Sequence, residues 1–195
     1  FQYILACTDF RCRLFYCPLL NKKIKTMIIE NSTPEDIETI FDLYKKATQH
    51  QRDVKGTVVW PVFERSLVEK EINERRQFKI VENADIACVW AVTFSDKEIW
   101  EENDNNESVY IHRIATNPQF RGNGYVEKIV DWAKQFAKGN HKKFIRMDTV
   151  GENKKLIAHY TANGFDFLGM KRLKDTSALP EHYSKDDVCL FEIKL

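Results

Sequence analysis

Seven residues, Gln119-Phe120-Arg121-Gly122-Asn123-Gly124-Tyr125, constrain this chain more than any other stretch. Before them, Val109 to Thr116 reads as a strand. After them, Tyr125 to Lys138 places Val126, Ile129, Val130, Ala133 and Ala137 at helical spacing. A strand that runs through a Gly-rich turn into a helix builds an anion site. The first amides of the helix lack partners within it, and its N-terminal end carries partial positive charge. Gly122 and Gly124 let phosphate oxygens approach the backbone. Arg121 adds a permanently charged fork. The stretch predicts a phosphate or pyrophosphate cradle. It is not a Walker A loop, because Tyr125 and Val126 stand where Lys and Ser/Thr would follow the glycine. It is not a dinucleotide fingerprint either, because Glu127 replaces the third glycine.

Length and composition narrow the class. A chain of 195 residues, 43% hydrophobic and 30% charged, is expected to form one ordinary folded domain. No apolar run approaches membrane-spanning length. A net charge of +1 argues against a strongly basic nucleic-acid surface. Residues 1–26 differ from the rest: Arg11, Arg13, Lys22, Lys23 and Lys25 outweigh Asp9, and Cys7, Cys12 and Cys17 fall there without a zinc-site spacing. This segment reads as a non-native or mis-started extension, with a single domain over 27–195. Cys88 and Cys189 lie in apolar strand patterns and are expected to be buried thiols. A cytoplasmic protein without disulfides is the expectation.

From Met27 the pattern is regular. Met27–Glu30 predicts a strand, and Thr33-Pro34-Glu35-Asp36 a helix start. Ile37, Ile40, Phe41 and Tyr44 form the buried face. Gln49–Gly56 reads as a polar loop and Val62–Arg76 as a second helix. Phe78–Val81 and Ile86–Phe94 predict a hairpin, the second strand apolar on both faces and therefore central. Ser95–Ser108 carries six acids and reads either as a solvated loop or as an acidic rim for a cationic amine. Later strands are predicted at Lys143–Asp148, Phe165–Leu168 and Val188–Leu195, with a helix over Gly151–Ala162 and a polar connection over Lys171–Asp187.

Read together, Gln119-x-x-Gly122-x-Gly124, Asn153 and Tyr160-x-x-x-Gly164-Phe165 resemble the two signatures of the GNAT N-acetyltransferase superfamily. The resemblance covers essentially Met27–Leu195 and is most specific from Tyr110 to Gly169. It implies an α/β fold: a mixed, mostly antiparallel sheet flanked by helices, with one splayed parallel strand pair. It implies acetyl-CoA as cofactor. The pantetheine arm would lie along Ile114-Ala115-Thr116 like an added strand. The pyrophosphate would meet Arg121, Gly122, Asn123, Gly124, Tyr125 and Val126, and Asn153 would bind the arm or hold the opened strand end.

The implied reaction is direct attack of a primary amine, on a small molecule or a protein, at the thioester. The amine must lose a proton and the leaving thiolate must gain one. The resemblance makes Tyr160 the general acid. The family often places a Glu on the central strand as base. Here that strand reads Tyr110-Ile111-His112-Arg113-Ile114, so His112 is the local substitute, with Glu98, Glu107 and Asp148 as alternatives and a water chain also open. Val126 stands where a small residue is usual, facing either the pyrophosphate or the core. The acceptor pocket would draw on Gln49–Arg76, Ser95–Ser108 and Lys171–Asp187, with Trp60 and Trp100 either lining it or filling the core. Competing readings are transfer of a longer acyl group, a silent acyl-CoA-binding module, and an unrelated nucleotide-binding α/β protein. No metal site is expected, because the five histidines show no ligand spacing. A homodimer is open, and neither nucleic acid nor membrane is expected as a partner.

Overall fold

A computed structural model describes residues 26–54 and 59–195. The expectation for residues 1–26, including Cys7, Cys12 and Cys17, falls almost wholly outside the described residues. Seven strands form one sheet: β1 (Met27–Asn31), β2 (Gln77–Glu82), β3 (Asp85–Thr93), β4 (Ser108–Thr116), β5 (Phe144–Val150), β6 (Asp166–Lys171) and β7 (Val188–Lys194). Their order is β1-β2-β3-β4-β5-β7-β6. Every pairing is antiparallel except β4 with β5.

The two faces of β3 explain the layers. Cys88, Trp90 and Val92 point to one side, where they meet Tyr125, Ile129, Val130, Ala133 and Ala137 of α4 (Tyr125–Gly139). Val89 points to the other, where it meets Ile40, Leu43 and Tyr44 of α1 (Ile37–Asp53) and Val68 and Ile72 of α2 (Arg65–Asn73). Burying an Ile or Val side chain at these contacts contributes about 1.5–3 kcal/mol. The hairpin between β2 and β3 turns on Asn83 and Ala84, both at positive φ (53° and 71°), as a two-residue turn requires.

Several elements differ from their predicted bounds. Residues 49–53 are helix, because Gln49 and Asp53 bond at 2.7 Å one turn apart and carry α1 to Asp53. The second helix begins at Arg65, since Trp60 and Phe63 are taken up by an aromatic group around Tyr44, with ring centroids 5.2–5.9 Å apart. Within the acidic segment, a short helix α3 (Lys97–Trp100) plants Ile99 and Trp100 under β4 and β7. The helix predicted from Gly151 is α5 (Lys154–Ala162), with Asn153 as its cap.

Candidate active site

The site starts with a gap in the sheet. β4 and β5 pair only from Ser108 to Tyr110 against Phe144 to Arg146. Beyond Tyr110 the strands part, so the inner edges of Ile111–Thr116 and Met147–Val150 face each other unpaired. A bulge follows in β4: Trp90 of β3 faces the two residues Arg113 and Ile114. Arg113 takes a left-handed backbone (φ 52°), unusual for a side-chain-bearing residue. Its guanidinium is held by both carboxylate oxygens of Glu71 on α2, donates to the Tyr44 hydroxyl at 3.3 Å, and stacks on Phe63. The sequence reading missed Glu71 and Arg113. They lie 42 residues apart, and no local pattern links them.

At the open end of the gap, Asn117 shapes the turn into α4. Its side-chain oxygen accepts from the Gln119 amide (3.2 Å) while its amide group donates to Ile86 O (3.2 Å). Gly122 and Gly124 follow with φ of 85° and 68°. An added Cβ would meet nothing within 4 Å at Gly122 and only Glu127 Oε2, at 3.6 Å, at Gly124. Within the protein itself, the glycines are needed for backbone conformation and not for clearance from neighbouring side chains. The first bond reaching back from α4 runs from Lys128 N to Gly124 O, leaving the preceding amides free of helical partners. Arg121 reaches across to His50 of α1, with Nη1 3.2 Å from Nδ1. Tyr125 and Val126 turn their side chains to the core. The Tyr125 hydroxyl donates to buried Glu82 at 2.6 Å. What these two offer the cradle is backbone.

The gap opens into a cleft of about 580 Å³. Ile114, Thr116, Arg121 and Asn153 line its cradle end, while Ala115 packs toward α1. The Asn153 side-chain oxygen caps α5 by accepting from Leu156 N at 3.1 Å, and its amide group remains for other partners. Tyr160, on α5, lines the floor, wedged edge-on against Phe165 and Phe191. Burial holds its phenol above the ordinary value, so it keeps its proton across the working range. All three segments expected around an acceptor contribute: His50, Trp60 and Phe63; Asp96 and Ile99; Leu179, His182 and Tyr183. Trp100 does not. It is buried beneath the Arg146 guanidinium.

The acidic segment resolves residue by residue. Glu101 pairs with Lys171 and Lys174, and Glu107 with Lys143. Asp104 binds Ser95, the Asp96 amide and Tyr110. Of the six acids, only Asp96 lines the cleft. It meets His112 (Nε2 to Oδ2, 3.8 Å) and Asp148, with one ligand-type atom from each within 4.8 Å of the others. Asp96 Oδ2 is buried without a hydrogen-bond partner. Burial, with the charges of Asp148, Glu98 and Asp104, pushes Asp96 up to about 8. Burial pushes Asp148 up to about 6, against the Tyr183 hydroxyl that donates to it at 2.9 Å. Burial, with Arg113 and Arg76 nearby, pushes the His112 imidazole down to about 3. The sequence reading found His112 and Asp148 but not Asp96. Only the fold singles Asp96 out from its acidic neighbours.

With this geometry in view, the chain matches the profile of the acetyltransferase (GNAT) family over residues 40–165. The chain belongs to that family. The uncharacterized N-acetyltransferase YesJ of Bacillus subtilis is 26% identical over 143 residues, covering 69% of this chain and 79% of that one. A GNAT-family acetyltransferase of Listeria monocytogenes shares the fold with a TM-score of 0.69 at 20% identity, over 87% of this chain and 95% of the other. The Salmonella typhimurium protein yncA, solved with acetyl-CoA, superposes with a TM-score of 0.62 at 14% identity, over 87% and 94% of the two chains. GNAT proteins use acetyl-CoA, and this chain is an acetyl-CoA-dependent acetyltransferase. Its residues fit the cofactor. The left-handed glycines and free first-turn amides suit a pyrophosphate, and the unpaired edge of β4 suits an extended amide arm. Among the described residues, no helix is long and apolar enough to cross a membrane.

Proposed function

We propose that the chain transfers the acetyl group of acetyl-CoA directly to a primary amine, with Tyr160 as general acid and Asp96 as proton acceptor. The observation that carries this is one continuous cleft. It runs from Thr116 and Arg121 beside the αL-glycine turn, through the gap between β4 and β5, past Tyr160, to the half-buried Asp96–His112–Asp148 group.

Acetyl-CoA supplies the thioester carbonyl. Arg121 and the amides around Gly122–Val126 would bind its pyrophosphate. The edge of Ile114–Thr116, with the free amide group of Asn153, would align the arm. The ammonium gives up two protons in all, one before attack and one as the C–N bond forms and the C–S bond breaks; the second replaces the proton that Tyr160 hands to the leaving sulfur. Tyr160 holds its phenolic proton for the leaving sulfur. The acceptor proton passes to Asp96. An ammonium beside the ionised carboxylate and a neutral amine beside the carboxylic acid share a single proton, so the pair deprotonates the nucleophile without creating net charge. A proton affinity near 8 supports Asp96 for this role, and one near 3 leaves His112 a weak acceptor. The pH dependence of kcat/KM separates them. His112→Gln should keep its acidic limb, and Asp96→Asn should lose it. The reverse pattern would return the role to His112.

The cofactor reading is tested by thermal shift with CoA, acetyl-CoA, ATP and NAD added separately. Ligand at 100 times its Kd adds about 2.7 kcal/mol of stability. Stabilisation by CoA and acetyl-CoA but not by the nucleotides is expected. A flat response to CoA in a cooperatively unfolding sample would remove the proposal.

A further inference from the structure

The acceptor half of the cleft carries its charges in an unequal way. Its only lining acids among the described residues are Asp96 and Asp148, and they lie together at the floor. Asp148 has one oxygen committed to the Tyr183 hydroxyl, whereas Asp96 Oδ2 accepts no hydrogen bond and lies 3.8 Å from His112 Nε2. A mostly buried carboxyl that lines a cleft with an oxygen left unbonded calls for a cationic donor from outside the chain. Away from this floor the lining sets the apolar Trp60, Phe63, Ile99 and Leu179 beside Gln51, His182 and Tyr183. Among the described residues, no second carboxylate lines the cleft at a distance from the first pair.

The lining cations are equally informative. Arg113 gives Nη2 to Glu71 and Nε to the Tyr44 hydroxyl, so its charge is already countered, and Arg121 lies at the cradle. Neither is an uncommitted cation for a carboxylate on the acceptor. An acceptor carrying an α-carboxylate would bury an unpaired anion next to two acids. A diamine would place its second ammonium against a wall that offers it no carboxylate. Either mismatch costs the full desolvation of a charged group, which is how a site rejects an analogue.

We propose that the acceptor is a primary amine whose ammonium is its only charge and whose body is apolar, an aralkylamine or alkylamine. On this assignment the cleft discriminates against polyamines and free α-amino acids. The ammonium sits against Asp96 and Asp148, and the apolar body lies against Trp60 and Phe63. Their rings already meet edge to face, 5.7 Å apart, and form a firm wall. The assignment rests on the acetyltransferase reading above and narrows it to a substrate class.

The test compares matched amines with the full chain at fixed acetyl-CoA, following acetylated product by mass spectrometry. 2-Phenylethylamine and phenylalanine differ by a carboxylate; hexylamine and 1,6-diaminohexane differ by a second ammonium. The singly charged member of each pair should show at least a tenfold higher kcat/KM. Trp60→Ala should raise KM for 2-phenylethylamine while leaving KM for methylamine nearly unchanged. Asp96→Asn, with Asp148→Asn as a second variant should the first fail to fold, should raise KM for every amine at least tenfold while the CoA thermal shift persists. Equal or better turnover of phenylalanine or the diamine would overturn the proposal and leave the acetyltransferase reading intact. Failure of CoA to stabilise the protein would instead remove that underlying reading. If CoA binds and no amine turns over, thermal shifts of the CoA–amine mixtures decide: no preference for 2-phenylethylamine over phenylalanine would again overturn it.

Discussion

Asp96 shows how one side chain ties stability to chemistry. In the unfolded chain its carboxyl titrates near 4; in the fold it titrates at about 8. Between those values the native state binds more protons than the unfolded state, so stability falls as pH rises through that window. His112, Asp148, Glu98 and Asp104 all act on this carboxyl, and Asp148 adds a change of the same sign up to about 6. The difference between wild type and Asp96→Asn isolates the contribution of Asp96. The variant should gain on wild type between pH 5 and pH 8 by on the order of 1–3 kcal/mol, the cost of leaving a buried polar group unsatisfied. Urea midpoints at the two pH values, with unchanged m, measure it. Parallel pH curves would mean that Asp96 is not buried as an orphan. Tyr160 is the second residue whose role is separable from its packing. Phe keeps the edge-on contacts with Phe165 and Phe191 and removes only the hydroxyl. Tyr160→Phe should lower kcat by roughly 10²–10⁴-fold, the range for a lost general acid, while CoA stabilises the variant as it does the wild type. Retained turnover would reduce Tyr160 to a core residue.

At the scale of elements, the cradle and the cap of α5 were legible because their chemistry is local. Gly122 and Gly124 announce a backbone only glycine adopts cheaply, and Asn153 announces a helix start. Their energies should follow from the same local causes. Gly122→Ala meets no steric obstacle, so its cost is the left-handed backbone alone, about 1–2 kcal/mol. Asn153→Ala removes the bond from Leu156 N and should cost about 0.5–2 kcal/mol. Chemical denaturation of each variant checks both values. A loss at Gly122 well above this range would point to a contact the backbone argument omits. The predicted elements that shifted did so for non-local reasons. Phe63 has helical spacing with Leu67, yet it joins Tyr44 and Trp60 before the helix begins. The acids of 95–108 look equivalent along the chain; Lys143, Lys171 and Lys174, distant in sequence, neutralise some of them and leave Asp96 facing the cleft. Periodicity carries no information about which of several like charges finds a partner.

For the molecule as a whole, the question is why a sheet of seven strands stays open in the middle. The unpaired edges of β4 and β5 would gain hydrogen bonds by closing, so something must hold β4 away. The bulge at Arg113–Ile114 supplies the bend, and Arg113 is kept in its left-handed backbone by Glu71 of α2, with Tyr44 of α1 behind it. This arrangement anchors the gap to the helical layer on one face of the sheet. Arg76, at the end of α2, strengthens the link by donating to Val92 O on β3 at 2.9 Å. Both members of the central pair are largely buried, with side chains 14% and 6% exposed. Removing Glu71 strands the charge of Arg113, which costs about 3–5 kcal/mol; removing Arg113 leaves Glu71 a weaker contact to Arg76, 3.9 Å away, and costs less. Replacing both by apolar residues avoids that penalty. Glu71→Leu should therefore destabilise strongly and Arg113→Met less so, while the double variant should recover most of the larger loss, so the coupling in the cycle should exceed the cost of Arg113→Met alone. Its stability recovers, but the bend loses its anchor, so CoA should stabilise the double variant less than it stabilises the wild type at the same concentration. Urea denaturation with and without CoA reads both effects. A double variant that binds CoA as tightly as the wild type would show that the splay is intrinsic to the strands and not imposed by the helices.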